Sequence, residues 1–228
     1  MATRLYLPNT GTISSGFVPD ANPNPATYTY WDTSGTISRL PMLSAKSTDT
    51  KSTLATTITT ADGSVNYVRA IWASEPVASN VTLNVSGLGT VTGQIRMSTS
   101  AASGYADMVL SRYRSGVYTD IAYGASNALS SATLTNRASN FSYSSSDIAL
   151  LTGDRIVLYI ALANDAGTSQ TVSLRVGSDS GSDLPEDNVS TTDLNPWVEF
   201  GETITFSAAS SSGTKKIMYG SRHMQRSR

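Results

Sequence analysis

Carboxylates are the side chains best supplied for chemistry in this chain. They are densest in Asp179-Ser-Gly-Ser-Asp183-Leu-Pro-Glu186-Asp187, with Asp193 close behind. Several acids in one loop could hold Ca²⁺, a hard cation that takes about six to eight oxygen ligands. Their spacing departs from an EF-hand loop, so a solvated inter-strand loop is the expectation. Two carboxylates facing each other across a cleft could also cleave a glycosidic bond. Nothing in the sequence marks one such pair apart from ordinary turn acids.

Other reactive groups are scarce. The chain has no cysteine, and its single histidine, His223, lies five residues from the C-terminus. One histidine cannot supply the three or four N or S ligands of a zinc site. No Gly-x-Ser-x-Gly elbow, phosphate-binding glycine loop or His-Glu-x-x-His is present. The expectation is therefore a non-enzymatic protein with no catalytic, cofactor-binding or metal-ligating residue. Hydroxyls replace reactive groups: 36 Ser and 29 Thr in 228 residues.

Two features could contact a partner. Residues 207–228 carry Lys215, Lys216, Arg222, Arg226 and Arg228 with no acid. Removing those five charges from a net of −1 leaves the first 206 residues at −6. A basic tail beside an acidic body favours docking onto a neighbouring subunit over specific nucleic-acid binding. Trp31, Trp72 and Trp197, with 11 Tyr, could stack on sugar rings, but core packing explains them as well. Trp31, in the irregular region 8–50, joins the basic tail residues as a contact candidate. The sequons at Asn80, Asn84, Asn140 and Asn188 are read as chance in so hydroxyl-rich a chain.

The elements that must position these groups are strands. Residues 80–85 and 171–176 alternate apolar and polar with a period of two, as half-buried antiparallel strands do. Weaker strand patterns run over 4–7, 54–60, 66–73, 91–98, 108–114, 117–123, 133–137 and 197–206. Residues 156–163 are apolar on both faces and predict a central strand covered on both sides. The best helix candidate, 121–131, contains Gly124 and several Ser and Asn, which oppose a helix interior. Only 14% of residues are charged, against about 25% in ordinary soluble domains. No apolar run approaches the ~20 residues that span a bilayer, and residues 1–8 lack the apolar core of a signal peptide. A soluble protein with no membrane association is the expectation.

Two stretches carry a resemblance when taken together. One is Arg4-Leu-Tyr-Leu-Pro8. The other is Gly153-Asp-Arg-Ile-Val157 continuing through Asp183-Leu-Pro-Glu186 to Asn195-Pro-Trp-Val-Glu-Phe200. The combination resembles a group of tailed-bacteriophage virion structural proteins, over roughly residues 1–8 and 66–206. The Gly153-Asp154-Arg155 step also resembles the jelly rolls of carbohydrate-binding modules and capsid decoration proteins. What the resemblance implies is a component of a phage particle.

The expected fold is all-β: an antiparallel β-sandwich of jelly-roll type over 51–206, an N-terminal strand and extended arm over 1–50, and a flexible basic tail over 207–228. The expected function is a capsid decoration (cement) protein on the virion. It would bind the major capsid protein or other virion proteins, as a homo-oligomer with a trimer as one candidate. The alternative is a tail or fibre component that binds host glycan through its sandwich face.

Overall fold

The computed structural model describes residues 2–46, 50–58, 65–84, 91–99, 104–126, 132–143, 146–165, 168–178, 181–187, 189–191 and 194–208. Fourteen strands follow in order: β1 (Thr3–Tyr6), β2 (Trp31–Asp32), β3 (Ser38–Met42), β4 (Ser52–Ile58), β5 (Asn66–Ser74), β6 (Val81–Leu83), β7 (Val91–Thr99), β8 (Gly104–Arg114), β9 (Val117–Ser126), β10 (Thr135–Tyr143), β11 (Ile148–Leu150), β12 (Arg155–Asn164), β13 (Gln170–Val176) and β14 (Trp197–Phe200). The described residues contain no α-helix, only a 3-10 turn at Ser14–Gly16. The chain is all-β, and its pairings are antiparallel except where β2 and β3 run parallel to β5.

Two layers face one another. The first groups β1, β14, β7, β13 and β4; the second runs β10-β9-β8-β12-β5, with β2 and β3 at its edge. β10 joins the layers: Thr135–Ala138 pair with β7, and Ser139–Tyr143 pair with β9. Between the layers lies the main core. It packs Ile95, Met97, Leu174, Val198 and Phe200 of the first against Trp72, Leu110, Ile156, Leu158 and Ile160 of the second. Alternation in β13 gives Val172, Leu174 and Val176 to this core, as the period-two pattern predicts.

β12 is buried at every position. Its even-numbered apolar residues join the main core, and Val157, Tyr159 and Ala161 point the other way. There they meet Ile13, Tyr28 and Trp31, with Phe17, Tyr30 and Ile37 packed alongside. The second cover of the doubly apolar strand is thus the chain's own irregular N-terminal region. That region is integral to the sandwich, since Leu5, Leu7, Leu40 and Met42 also sit in the main core.

Several elements differ from the sequence reading. β14 stops at Phe200 because Gly201 and Glu202 form a bend. The Glu202 carboxylate accepts the Asn84 amide at 2.8 Å there, outside the ladder. Ile204 remains buried beyond the bend, so the apolar alternation to Phe206 outlasts the hydrogen bonds. Residues 121–126 of the helix candidate belong to β9, and 127–131 lie outside the described residues. β11 and β2 are too short to leave a periodic signature. The Ser115-Gly116 turn between β8 and β9 has φ of 49° and 87°, the double positive φ of a two-residue type I′ hairpin.

The loop before β12 is held by a carboxylate. Asp154, 2% exposed, accepts from Arg114 Nε at 2.7 Å and Nη2 at 2.6 Å, and from the Leu151 amide at 2.8 Å. Burial alone would raise its pKa, but these donors reverse the sign and hold it below the usual range. Asp154→Ala should therefore destabilise by about 2 kcal/mol at neutral pH. Because the folded pKa is depressed, that contribution is present above pH ~4 and fades as pH falls through the folded value. Chemical denaturation of wild type and variant at pH 7 and pH 3 tests both statements: the difference should shrink in acid.

Candidate functional site

Of the segments that carry the sequence resemblance, 4–8, 183–186 and 195–200 meet around Arg4, while 153–157 lies apart at the start of β12. β1 pairs with β14 so that Arg4 lies opposite Glu199 and Tyr6 opposite Trp197. Arg4 Nε donates to Glu199 Oε2 at 2.9 Å and Nη1 to Asp183 Oδ2 at 2.8 Å, with Glu186 at 3.7 Å. Its guanidinium lies 3.7 Å from the Trp197 ring centroid. Burial tends to lower the Arg4 pKa, but Glu199 and Asp183 outweigh it, so it is raised. Lys46 adds a contact to Asp183 at 3.0 Å.

Trp197 is the floor of this cluster. It is fully buried, and its indole Nε1 donates to the Leu184 carbonyl at 2.9 Å. Pro196 fixes an extended entry into β14 and has no N–H to leave unpaired; its carbonyl accepts the Leu7 amide at 3.0 Å. Asn195 locks the loop to itself: its amide donates to Ser182 O at 2.9 Å, and its carbonyl accepts the Leu184 amide at 3.0 Å. Farther along, the Asn136 amide donates to Ser190 O at 2.8 Å. The Arg96 guanidinium donates to Leu134 O and Thr191 O. The described parts of 181–195 therefore form a cover over the outer face of the first layer.

The second layer's outer face carries a different arrangement. Tyr28 Oη donates to Asp120 Oδ2 at 2.8 Å, and Ser111 Oγ donates to Asp120 Oδ1 at 3.1 Å. Asp107, 3% exposed, accepts from Asn66 Nδ2 and interacts with Tyr123, which in turn meets Tyr30. Burial pushes the Asp107 carboxyl up to about 6, against the opposing pull of Tyr123 and Asn66. The Tyr28, Tyr30 and Tyr123 phenols are all raised, chiefly by burial. Arg155 anchors the same cover at its other end: it donates to Ser74 O, and Nη2 reaches Ser14 Oγ at 3.0 Å and Ser15 Oγ at 2.6 Å.

The candidate residues of the sequence are placed as follows. Trp31 is 6% exposed, 4.8 Å from Tyr28 and 6.2 Å from Tyr159 between ring centroids. Its ring is inside the chain, where it offers no surface to a partner. Trp72 is fully buried, with Nε1 donating to Pro8 O at 3.0 Å. No tryptophan forms a sugar-stacking platform. Lys215, Lys216, Arg222, Arg226, Arg228 and His223 lie outside the described residues. Of the acidic run, Asp183 serves Arg4 and Lys46. Asp187 accepts from the Val189 and Ser190 amides at 2.9 and 2.8 Å, as a turn acid does. Asp179 and Asp193 lie outside the described residues.

Sequence reading missed the Asp107 and Asp120 layer. The one available signal was an acid inside an otherwise strand-like run, where Asp is disfavoured. Among the described residues no three His, Asp or Glu side chains come together as a metal could require, and no helix is long and apolar enough to cross a membrane. A groove of about 710 Å³ lies between Met42–Lys46 and Ile204–Ala208, and Glu75 is the one carboxylate among its described lining residues. No family model matches the chain, and no curated protein matches its sequence.

Proposed function

We propose that the chain is a non-enzymatic structural protein of a phage particle, most specifically a decoration (cement) protein that binds and stabilises the major capsid lattice. It would be assembled in the host cytoplasm and exposed on the virion, and its sandwich would be of jelly-roll type. One observation carries the reading. The motif residues Arg4, Arg155, Asp183, Asn195 and Trp197 are spent on sealing the two covers of the sandwich, and Asp154 on holding the loop before β12. Residues committed in this way fit a rigid building block better than a reactive site.

Low charge and abundant hydroxyls suit a surface that neighbouring subunits cover. Many weak contacts repeated over a lattice sum to a stable attachment. The basic residues of 207–228 are the proposed docking element, through charge attraction that salt would screen.

The test is a reconstruction of the particle that carries this chain, together with capsid co-sedimentation of the full chain and of a chain lacking 207–228. Density on the head lattice and a deletion that loses capsid binding are expected. Density on the tail, or a specific hit on a glycan array, would replace this reading with that of a host-binding fibre component. Full occupancy by the truncated chain would remove the role given to the tail.

A further inference from the structure

The irregular cover over β12 is fastened at its two ends by different chemistry. At the 14–20 end guanidiniums hold it. Arg155 donates to Ser14 and Ser15, and Arg39 Nε donates to Pro19 O at 3.0 Å. Glu75, which accepts from Ser14 Oγ, has the Arg155 charge beside it. The Asp20 amide adds a bond to Tyr118 Oη at 2.9 Å. At the 28–32 end the ties run through phenols and amides. Tyr28 Oη donates to Asp120, and the Tyr30 carbonyl accepts the Asn66 amide at 3.0 Å. β2 pairs with β5 over two residues, Trp31 opposite Asn66 and Asp32 opposite Tyr67. Asn66 also donates through Nδ2 to Asp107. One residue thus joins this end of the cover to a carboxylate that is 3% exposed and that no described guanidinium or ammonium group approaches.

We infer that the 28–32 end of the cover is a proton-dependent latch, held down while Asp107 is protonated and loosened when Asp107 ionises, with the 14–20 end as its hinge. The geometry suits the protonated form. A neutral carboxyl carries a donor, and it faces the side chain of Asn66, whose Oδ1 is buried with no hydrogen-bond partner. The ionised form loses that donor and brings a charge into a layer of phenols. Around Asp107 stand Asn66 from β5, Tyr123 from β9, Tyr28 and Tyr30 from the cover, and Tyr105 on its own strand; β12 sets Ala161 opposite it. The neighbouring carboxylates are Asp120, bound by Tyr28 and Ser111, and Asp165 beyond Tyr105. Burial raises all four phenols, so they stay neutral at neutral pH. A buried carboxylate without a counter-charge is unfavourable. Admitting water where only a two-residue ladder ties the cover is the smallest rearrangement that relieves it.

Raising the pH favours opening. Under the closed cover burial lifts the Asp107 carboxyl from 3.8 to about 6, and an open cover returns it toward the lower value. The closed form therefore binds the proton more tightly, and the open fraction should grow about fiftyfold between pH 4 and pH 7. The change is local, because the first layer and its core do not touch this end of the cover. Opening uncovers Tyr28, Tyr30 and Trp31 together with the outer face of β12, formed by Val157, Tyr159 and Ala161. An apolar, aromatic surface would thus become available toward neutral pH, whatever particle or partner the chain serves.

Amide hydrogen exchange of the full chain, expressed as protection so that the intrinsic pH dependence cancels, tests the latch. The Trp31 amide, bonded to Tyr28 O at 3.1 Å, and the Asn66 amide report on it. The Asp20 amide reports on the hinge end. Protection at Trp31 and Asn66 should fall about fiftyfold from pH 4 to pH 7, while Asp20 changes by less than about threefold. Local opening exposes little surface, so dilute urea should leave exchange at Trp31 and Asn66 nearly unchanged. Asp107→Asn keeps the shape and carries a donor at every pH, so both amides should stay at their acid-side protection throughout. Wild type alone is sufficient should the variant not fold. Protection at Trp31 and Asn66 that is flat from pH 4 to pH 7 overturns the inference. So does a fall that persists in a folded Asp107→Asn chain, or one that Asp20 shares with a steep urea dependence, which marks unfolding of the whole chain.

Discussion

Trp197→Ala is expected to lower the unfolding free energy by about 3–5 kcal/mol, the range for a fully buried large aromatic. The indole has three jobs, and each can be removed separately. It fills the small core it shares with Tyr6 and Leu184. It donates to the Leu184 carbonyl, and it carries the Arg4 guanidinium on its face. Trp197→Phe keeps much of the packing but orphans the buried Leu184 carbonyl, which should cost about 1–3 kcal/mol. Arg4→Met keeps a long apolar stem over the ring and removes the charge. Arg4, Asp183 and Glu199 are each about a quarter exposed on the side chain, so solvent screening limits that loss to about 1 kcal/mol. Denaturant unfolding gives the three values. Hydrogen exchange gives their location: the Leu184 and Asn136 amides, which bond to Asn195 O and Ser190 O, should lose protection first. A Trp197→Ala protein less than about 1 kcal/mol weaker than wild type would mean that the cover over the first layer is held by something else.

That cover shows where sequence reading ends. Strand β13 was legible because its alternation is a local property: Val172, Leu174 and Val176 turn inward whatever the neighbours are. The double burial of β12 was legible for the same reason, as a run of apolar residues on both faces. What covers its second face was not. Ile13, Phe17, Tyr28, Tyr30 and Trp31 recur with no period, because the backbone that carries them is irregular and follows the contour of the sheet. The Arg4–Glu199 pair joins positions 195 residues apart, and nothing in either segment announces the other. The acidic run reads in the sequence as a solvated inter-strand loop, yet Asp183 is half of a cluster whose other half is β1.

Glycine marks a second limit. Gly177 has φ +68°, and a Cβ there would come within 2.8 Å of Asn9 Cβ and 3.1 Å of Thr50 O. In the sequence this residue reads only as the end of β13. In the fold it is where three chain segments pass closest, with the Gly177 amide donating to Leu7 O at 3.2 Å. Local strand propensity predicts the end of pairing; the positive φ and the close tertiary approach together explain why no side chain fits.

Asp107 leads to the second large effect, one of pH. It lies on β8 between Ala125 of β9 and Ala161 of β12, facing the irregular cover. Asn66 of β5, Tyr123 of β9 and Tyr30 of the cover are its polar company, with Tyr105 on its own strand and Asp165 beyond Tyr105. No cation contributes to its shift, and burial raises its pKa from 3.8 to about 6. Between those values the folded chain holds a proton that the unfolded chain has released. This group therefore makes stability fall as pH rises from about 4 to 6, with no further change above. A shift of roughly two units corresponds to about 3 kcal/mol of unfavourable free energy at pH 7. Asp107→Asn should remove the charge at no steric cost. Its new amide donor faces the side chain of Asn66, whose Oδ1 is buried with no hydrogen-bond partner. Relative to wild type, the variant should be about equal in stability near pH 4 and more stable by about 2–3 kcal/mol at pH 7. Other carboxylates, Asp154 among them, tilt the wild-type profile the opposite way in acid, so the informative quantity is the difference between the two proteins at each pH. A difference that stays constant from pH 4 to pH 7 would show that Asp107 titrates at its ordinary value, and that the layer of tyrosines around it is wet.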